Sequence, residues 1–440
     1  MSLVQQTRSI TFKVLGIAAL ALLMLIPLAR VEGLVAEREG RSREATRQIA
    51  ARWGAEQRLG GPVLVVPQRC LRLHGERTVV VDESDHLLPD RLVVTATLAP
   101  ELRHYGIHET VVFAATVRVE GRFAAADQAL LARDGCSPAW ARARVRVPVA
   151  DVHGIRRAST LRIGARELAF GPDDATVGGI ATIGVALAGD DAPGELPFAF
   201  EMTLAGSERF AVLPLARTTE ARIDGAWPDP GFDGAFVPAE RRVDARGFAA
   251  GWQVLDLNRR IAQHWVGADA AGALDDAAFG VSLVRPAHAY QQNTRAGKYA
   301  VLFVALGFVA FFLFEVLRGL RVHPVQYLLV GLAQCTFYVV LLALSEQVGF
   351  GPAYAIAASV TAALVGTYAA AVLATRRAGA MLAGVLGLVY AVLYGLVQSE
   401  DYALLMGSLA LFATVAALML LTRRVDWYAM GRGAAAGAAR

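Results

Sequence analysis

Apolar and polar positions are sorted along this chain into long blocks. A nearly uninterrupted apolar run covers residues 12–29, with Arg8 and Lys13 at its start. Five more are crowded into the last third, at residues 299–317, 325–344, 353–373, 379–397 and 402–421. A helix of about 20 mostly apolar residues spans the ~30 Å hydrocarbon core of a bilayer. The pattern therefore predicts six transmembrane helices, an anchor over 12–30 and a five-helix bundle over 299–422. Behind the first run stand only Leu28-Ala29-Arg30 and Leu34-Val35-Ala36, poor cleavage sites, so it reads as an uncleaved anchor.

The block between the membrane runs has a different rhythm. Glu37, Arg38, Glu39, Arg41, Arg43, Glu44 and Arg47 allow several i,i+3 and i,i+4 pairs. They predict a helical stalk over 31–53, ended by Gly54 or by Gly60-Gly61-Pro62, either solvated or serving as a partner-binding arm. Beyond Pro62 the period changes from 3.6 to 2. Strands are predicted at 63–66, 78–81, 92–98, 110–119, 143–147, 160–163, 180–187, 198–204, 209–215 and 218–223. Arg142, Arg144 and Arg146 alternate with Ala143, Val145 and Val147, one wet face and one buried. The fold class is thus a membrane protein, α + β, whose segment 31–298 holds a large sandwich-like β-rich domain. Residues 227–251 read as loop, 256–263 as a short helix, and 423–440 as a disordered tail.

Lysine and arginine distribution gives an orientation. Arg318 and Arg321, Arg376 and Arg377, and Arg423 and Arg424 mark one side of the bundle. Glu346, Glu400 and Asp401 mark the other. The basic side is expected to be cytoplasmic. This puts both termini in the cytoplasm and the β-rich segment outside the membrane on the far, periplasmic side. Composition agrees: of 440 residues 55% are hydrophobic and only 19% charged, which excludes a disordered chain and argues against a purely soluble one. The net charge of +4 comes with no basic block, so no nucleic-acid partner is expected.

Motifs of known chemistry are sparse. No nucleophile elbow, P-loop, HExxH or paired CxxC is present. His104 and His108 have metal-ligand spacing for a helix but flank Gly106 in a strand-like stretch. Asp82, Glu83, Asp85 and His86 lack the glycine and spacing of a calcium loop and read as a turn. Cys70 and Cys136 either form a disulfide, as an oxidising compartment permits, or remain two thiols. Cys335 reads as a packing residue. Within the bundle Glu315 stands one turn from Arg318 and is expected to pair with it. Gln326 and Gln334 are expected to bond between helices. Ala380, Gly384 and Gly387, or Ala383 with Gly387, offer small-residue faces for close packing.

Several longer motifs carry a family resemblance. Arg295-Ala296-Gly297-Lys298-Tyr299 leads into the bundle, and His323-Pro324-Val325-Gln326-Tyr327-Leu328-Leu329-Val330-Gly331 opens its second helix. Phe337-Tyr338, Leu344-Ser345-Glu346 and Ala353-Tyr354 follow. Glu400-Asp401-Tyr402-Ala403-Leu404-Leu405 and Gly407-Ser408 open the last helix, and Asp426-Trp427 closes it. In the middle segment Gly61-Pro62, Trp227-Pro228, Phe232, Gly234, Pro238, Gly247-Phe248 and Trp252 fit as well. The chain resembles, over nearly its whole length, the CreD family of bacterial inner-membrane proteins linked to cell-envelope integrity. One departure is Tyr105-Gly106-Ile107-His108, where the family pattern has an Arg-Gly-Ile-Tyr type turn.

The resemblance implies an association with a two-component envelope-stress regulon, with toxin tolerance and with the β-lactam response. It brings no catalytic residues, metal or cofactor. The expected function is non-enzymatic support of the envelope, with the lipid bilayer and an unidentified envelope protein or lipid as partners. Candidate interaction or structural positions are Arg295, Lys298, Tyr299, Glu315, His323, Gln326, Tyr327, Glu346, Glu400 and Asp401. Two other classes remain open. A transporter or lipid-handling protein would need a polar cavity in the bundle, with Glu315, Gln334, Thr336 and Tyr338 as its only hints. An enzyme acting on envelope polymers would need histidine and acidic side chains converging in a pocket of the β-rich domain.

Overall fold

The computed structural model describes residues 3–74, 77–106, 108–187, 189, 194–267, 273–283, 289–318, 322–399 and 402–423. Its helices among these are α1 (Leu3–Leu23), α2 (Leu25–Trp53), α3 (Ala125–Gln128), α4 (Ala273–Asp276), α5 (Ala289–Arg318), α6 (Pro324–Val348), α7 (Phe350–Val372), α8 (Arg376–Gln398) and α9 (Ala403–Thr422). The chain divides into two compact units, Met1–Ser42 with Ala287–Arg440, and Arg43–Pro286.

Among the described residues, five helical runs are long and apolar enough to cross a membrane: Lys13–Trp53, Tyr290–Val316, Pro324–Val348, Phe350–Val372 and Arg376–Gln398. The apolar stretch of α9, Leu405–Leu420, is shorter. The break between α1 and α2 at Met24 has a local cause. Pro27 has no N–H to offer the Leu23 carbonyl one turn back, while Met24 N and Leu28 N still bond i−4 carbonyls at 3.0 and 3.2 Å. Met24, Leu28, Val31 and Val35 pack with Phe303, Phe308, Phe311, Phe337, Tyr354 and Tyr390 in one apolar core.

Helices α7 and α8 approach closely, and of the small residues expected on α8 only Ala383 lies at the approach. A Cβ on Gly366 would lie 2.7 Å from the Ala383 Cβ, and one on Gly379 would lie 2.4 Å from the Gly366 carbonyl oxygen. Gly384 and Gly387 have open space where a Cβ would stand, and Ala380 is exposed. The seam therefore runs along Gly379 and Ala383, because the bundle buries the face carrying Leu382 and Leu386.

The second unit is built of strands. A nine-stranded sheet is centred on the antiparallel hairpin Arg91–Tyr105 and His108–Phe123. Leu196–Ser207 pairs antiparallel to one side of it. Thr218–Gly225 runs parallel to the other side and continues into Gly247–Leu255 and Glu240–Asp244. A seven-stranded sheet has the order Gly171–Val177, Ile180–Ala186, Arg144–Pro148, Val63–His74, Arg77–Leu87, His264–Val266, with Cys136–Pro138 as a seventh strand on Val63–His74. A four-stranded sheet joins Gln57–Gly60, Arg209–Leu213, Phe279–Ser282 and Gly231–Gly234. Leu64, Val66 and Leu87 of the seven-stranded sheet share one buried cluster with Val94, Val117 and Met202 of the nine-stranded sheet and with Phe210 and Phe279 of the third. That shared core makes the unit sandwich-like.

The helical end of α2 is tied into this unit. Trp53 donates its indole N–H to the Phe113 carbonyl at 3.3 Å, and Arg103 and Arg156 lie 4.7 and 5.3 Å from its ring centre. Gly54 follows with φ +152, and a Cβ there would meet the Ala205 carbonyl at 2.3 Å. Only glycine fits where the chain turns from helix to sheet.

Four local expectations need correction. Residues 227–251 are not loop: they hold Gly231–Gly234, Glu240–Asp244 and the start of Gly247–Leu255. The helix expected over 256–263 is a single 3-10 turn, Asp256–Asn258. Asp82 to His86 form no turn but the second half of the strand Arg77–Leu87, where the acidic side chains find partners from distant segments. Arg144 and Arg146 stand outward from a strand whose Val145 and Val147 are buried, as the alternation requires, but Arg142 falls in the preceding 3-10 turn.

Candidate functional site

In the β-rich unit, polar side chains concentrate where the segment 133–138 crosses the strand Val63–His74. Cys70 and Cys136 sit opposite each other in register and form a disulfide, with Cα atoms 4.0 Å apart. Next to the bridge, Glu83 accepts two bonds at one oxygen from Arg72, Nε at 3.0 Å and Nη2 at 2.9 Å. Its other oxygen accepts from Arg133 Nη2 at 2.8 Å. Hydrogen bonds from Arg133 and then Arg72 hold the Glu83 carboxyl below its ordinary pKa. Arg133 reaches on to Asp85, 3.0 Å from Oδ1 and 3.2 Å from Oδ2.

Asp85 is fully buried. It also accepts from the Gln68 side-chain amide, and His264 Nε2 lies 3.6 Å away. Burial pushes its carboxyl pKa up, while the charges of Arg133 and His264 pull it back. His86 points to the opposite face of the same strand. It stacks on Trp265 with ring centres 5.0 Å apart and planes 6° from parallel. Burial, aided by the charge of Arg146, pushes its pKa down to about 4.

This arrangement is a clamp. Asp85 holds Arg133, and Arg133 holds the crossing segment beside the disulfide. Cys70, Cys136 and Glu83 bring potential metal-ligating atoms within 4.8 Å of one another. As a disulfide, however, the sulfurs have no thiolate to offer a metal. His104 and His108 stand at the end of the long hairpin, where His104 faces Glu109 and Tyr105 faces His108 in register. The helical spacing that would direct both at one ion is absent. His104 Nε2 lies 3.8 Å from Glu109 Oε1.

In the helical unit, polar contacts gather at two levels. At the first, Glu315 of α5 is almost completely buried. It accepts from Lys13 of α1, from the Tyr327 hydroxyl of α6 at 2.6 Å and from Val322 N at 2.8 Å. The expected partner Arg318 has its side chain outside the described residues. The carboxylate ties α1, α5 and α6 together. Next to it, His323 caps α6: its Nδ1 accepts from Val325 N at 3.3 Å, while the Gln326 side chain accepts from His323 N at 3.0 Å. Gln326 therefore closes its own helix, and among the described residues it shows no bond across to another.

At the second level, Glu346 accepts from the Tyr290 hydroxyl at 3.0 Å and has Arg38 Nη1 3.8 Å away. Asn293 donates to the Ser345 hydroxyl at 2.8 Å, and Gln292 to Gln398 at 3.3 Å. Arg295 and Tyr299 are half-buried on α5 and Lys298 is exposed. Glu400 and Asp401 lie outside the described residues. The four residues that hinted at a polar cavity do not converge. Gln334 lies over Gly307, and Thr336 donates to the Leu332 carbonyl of its own helix at 2.9 Å. Tyr338 packs edge-on against Phe337, and Glu315 belongs to the cluster with Lys13.

Sequence reasoning missed Arg133, Gln68 and His264 around Asp85, and Lys13 as the partner of Glu315. Lys13 had a signal, since a cation inside an apolar run demands a partner. Arg133 had none, because the contact to Asp85 joins residues 48 apart.

A family model described as inner membrane protein CreD matches residues 9–428. The inner membrane protein CreD of Escherichia coli (strain K12) is 31% identical over 423 residues, covering 95% of this chain and 94% of that one. Among solved structures, an M1 zinc metallopeptidase from Deinococcus radiodurans aligns over 38% of each chain at 8% identity, with a TM-score of 0.19. That likeness is too slight to inform fold or chemistry.

Proposed function

The chain belongs to the CreD family of inner membrane proteins, and from that premise we propose that it is a non-enzymatic protein supporting cell-envelope integrity through its β-rich domain. The domain would lie in the periplasm and both termini in the cytoplasm. The observation that carries this reading is how the bundle uses its polar side chains. Glu315, Glu346, Asn293, His323 and Gln326 are engaged in helix-to-helix ties and a helix cap. A coupling site needs such groups free to take up and release an ion. The Cys70–Cys136 bridge supports the periplasmic placement, since such bonds persist in oxidising compartments. The basic ends at Arg376, Arg377 and Arg423 support the orientation.

The test is envelope permeability in a deletion strain, read by dye uptake and by β-lactam and detergent sensitivity. Leakiness restored to normal by the full chain is the expected result. A deletion strain indistinguishable from wild type under every stress would remove the reading.

One observation favours a lipid-handling role instead. An apolar groove of about 600 Å³ runs between α7 and α8, lined by Gly351, Ala355, Ser359, Gly387 and Tyr394. Filling it with Ala355→Trp and Ser359→Trp leaves complementation intact under the first reading and abolishes it under the second.

A further inference from the structure

The hairpin formed by Val63–His74 and Arg77–Leu87 outgrows the sheet it belongs to. Its pairing runs without a register shift from Leu64↔Leu87 to His74↔Arg77. Flanking strands reach only its base: His264–Val266 covers Asp85 to Leu87, and Cys136–Pro138 covers Gln68 to Cys70. Among the described residues, the outer edge of the strand from Arg77 to Glu83 has no neighbouring strand. That edge carries the β-branched run Thr78-Val79-Val80-Val81, every residue of it exposed, with Val80 at 66%. Exposed edges are normally blunted by lysine, proline or a bulge. None of these protects Thr78 to Val81.

We propose that this edge pairs with the same edge of a second copy, joining two hairpins into one four-stranded antiparallel sheet about a two-fold axis. The sequence of the edge selects the register. In a symmetric antiparallel pair the axis passes through one residue, which faces its own mate. An axis through Val79 sets Arg77 against Val81 and Thr78 against Val80. An axis through Val81 sets Val80 against Asp82 and Val79 against Glu83. Only an axis through Val80 sets valine against valine and polar against polar: Val80 meets Val80, Val79 meets Val81, Thr78 meets Asp82, and Arg77 meets Glu83. The last two are complementary pairs, repeated twice by symmetry. Leu71 lies opposite Val80 within the hairpin and is 57% exposed. The pairing would therefore lay Leu71, Val80, Val80 and Leu71 in one apolar row across the four strands. The disulfide and the Glu83–Arg133–Asp85 clamp hold the hairpin at its base and keep the edge in place.

Directly opposed residues in such a sheet have Cβ atoms ~5 Å apart, within disulfide reach. The test uses the full chain in isolated membranes with copper-phenanthroline oxidation and non-reducing electrophoresis. Val80→Cys is expected to become mostly covalent dimer. Leu73→Cys, on the same hairpin and 78% exposed, is expected to stay monomeric. Val79→Cys and Val81→Cys are each expected to remain monomeric alone and to cross-link when co-expressed. Val80→Cys cross-linking no better than Leu73→Cys overturns the proposal. So does Val79→Cys dimerising alone, or Val80→Cys captured chiefly by another protein.

Discussion

At the scale of single residues, buried charges and their partners hold both units together. His86 titrates in the folded domain at about 4, against an ordinary value near 6.5. A folded value below the unfolded one means that the neutral form is favoured by folding. The stabilisation is complete above about pH 6.5 and is lost as pH falls toward 4, by about 3 kcal/mol. Asp85 acts in the opposite sense, because its raised carboxyl pKa adds stability at low pH that fades as pH rises. Denaturant titrations of wild type and His86→Phe between pH 7 and 4 separate the two. The wild-type curve should fall more steeply with acid than that of the variant. Parallel curves would place His86 in a solvated setting. Glu315 gives a second prediction. Glu315→Ala removes the acceptor of Lys13, Tyr327 and Val322 N at once. Breaking a buried pair from one side costs about 3–5 kcal/mol. Detergent-resistance or thermal unfolding of the purified chain should show that loss, with Glu315→Gln losing less because it keeps the geometry of an acceptor.

At the scale of elements, what holds each segment decides how much of it the sequence reveals. Membrane helices declare themselves because an apolar run of sufficient length has one solution in lipid. Of the long hairpin Arg91–Tyr105 and His108–Phe123, the stretches 92–98 and 110–119 were legible through their β-branched enrichment, and its far end was not. Residues 231–255 were not, because Trp227-Pro228-Asp229-Pro230-Gly231 reads as punctuation, and the strands beyond it are defined by pairing with Thr218–Gly225 and Phe279–Ser282. The acidic stretch Asp82 to His86 was read as a turn for a similar reason, since its charges are satisfied by Arg133 and His264, remote in sequence. Helix packing followed the same logic. Small residues were visible on α8, but which side they serve depends on where α7 lies. Gly379→Leu should force α7 and α8 apart and destabilise the bundle by about 1–3 kcal/mol, while Gly384→Leu, facing open space, should be near neutral. Thermal unfolding in detergent compares the two directly. Removing the bridge with Cys70→Ser and Cys136→Ser releases a loop of 66 residues. Such a loop stabilises by about 4 kcal/mol in the chain-entropy picture, so denaturant midpoints of the β-rich domain should fall accordingly.

At the scale of the whole molecule, the chain forms two units with separate cores. The helical unit spends its polar groups on holding itself together, and the β-rich unit presents a disulfide-braced hairpin with an open edge. In the proposed function the β-rich domain supports the envelope and the bundle anchors it. The most direct test is dye uptake in the deletion strain carrying residues 31–298 exported on an unrelated single-span anchor. A second strain carries the helices without residues 43–286. The account predicts that the anchored domain restores the barrier to the level of the full chain and that the helices alone do not. Restoration by the helices alone, or failure of an anchored domain that is folded and exported, would contradict it.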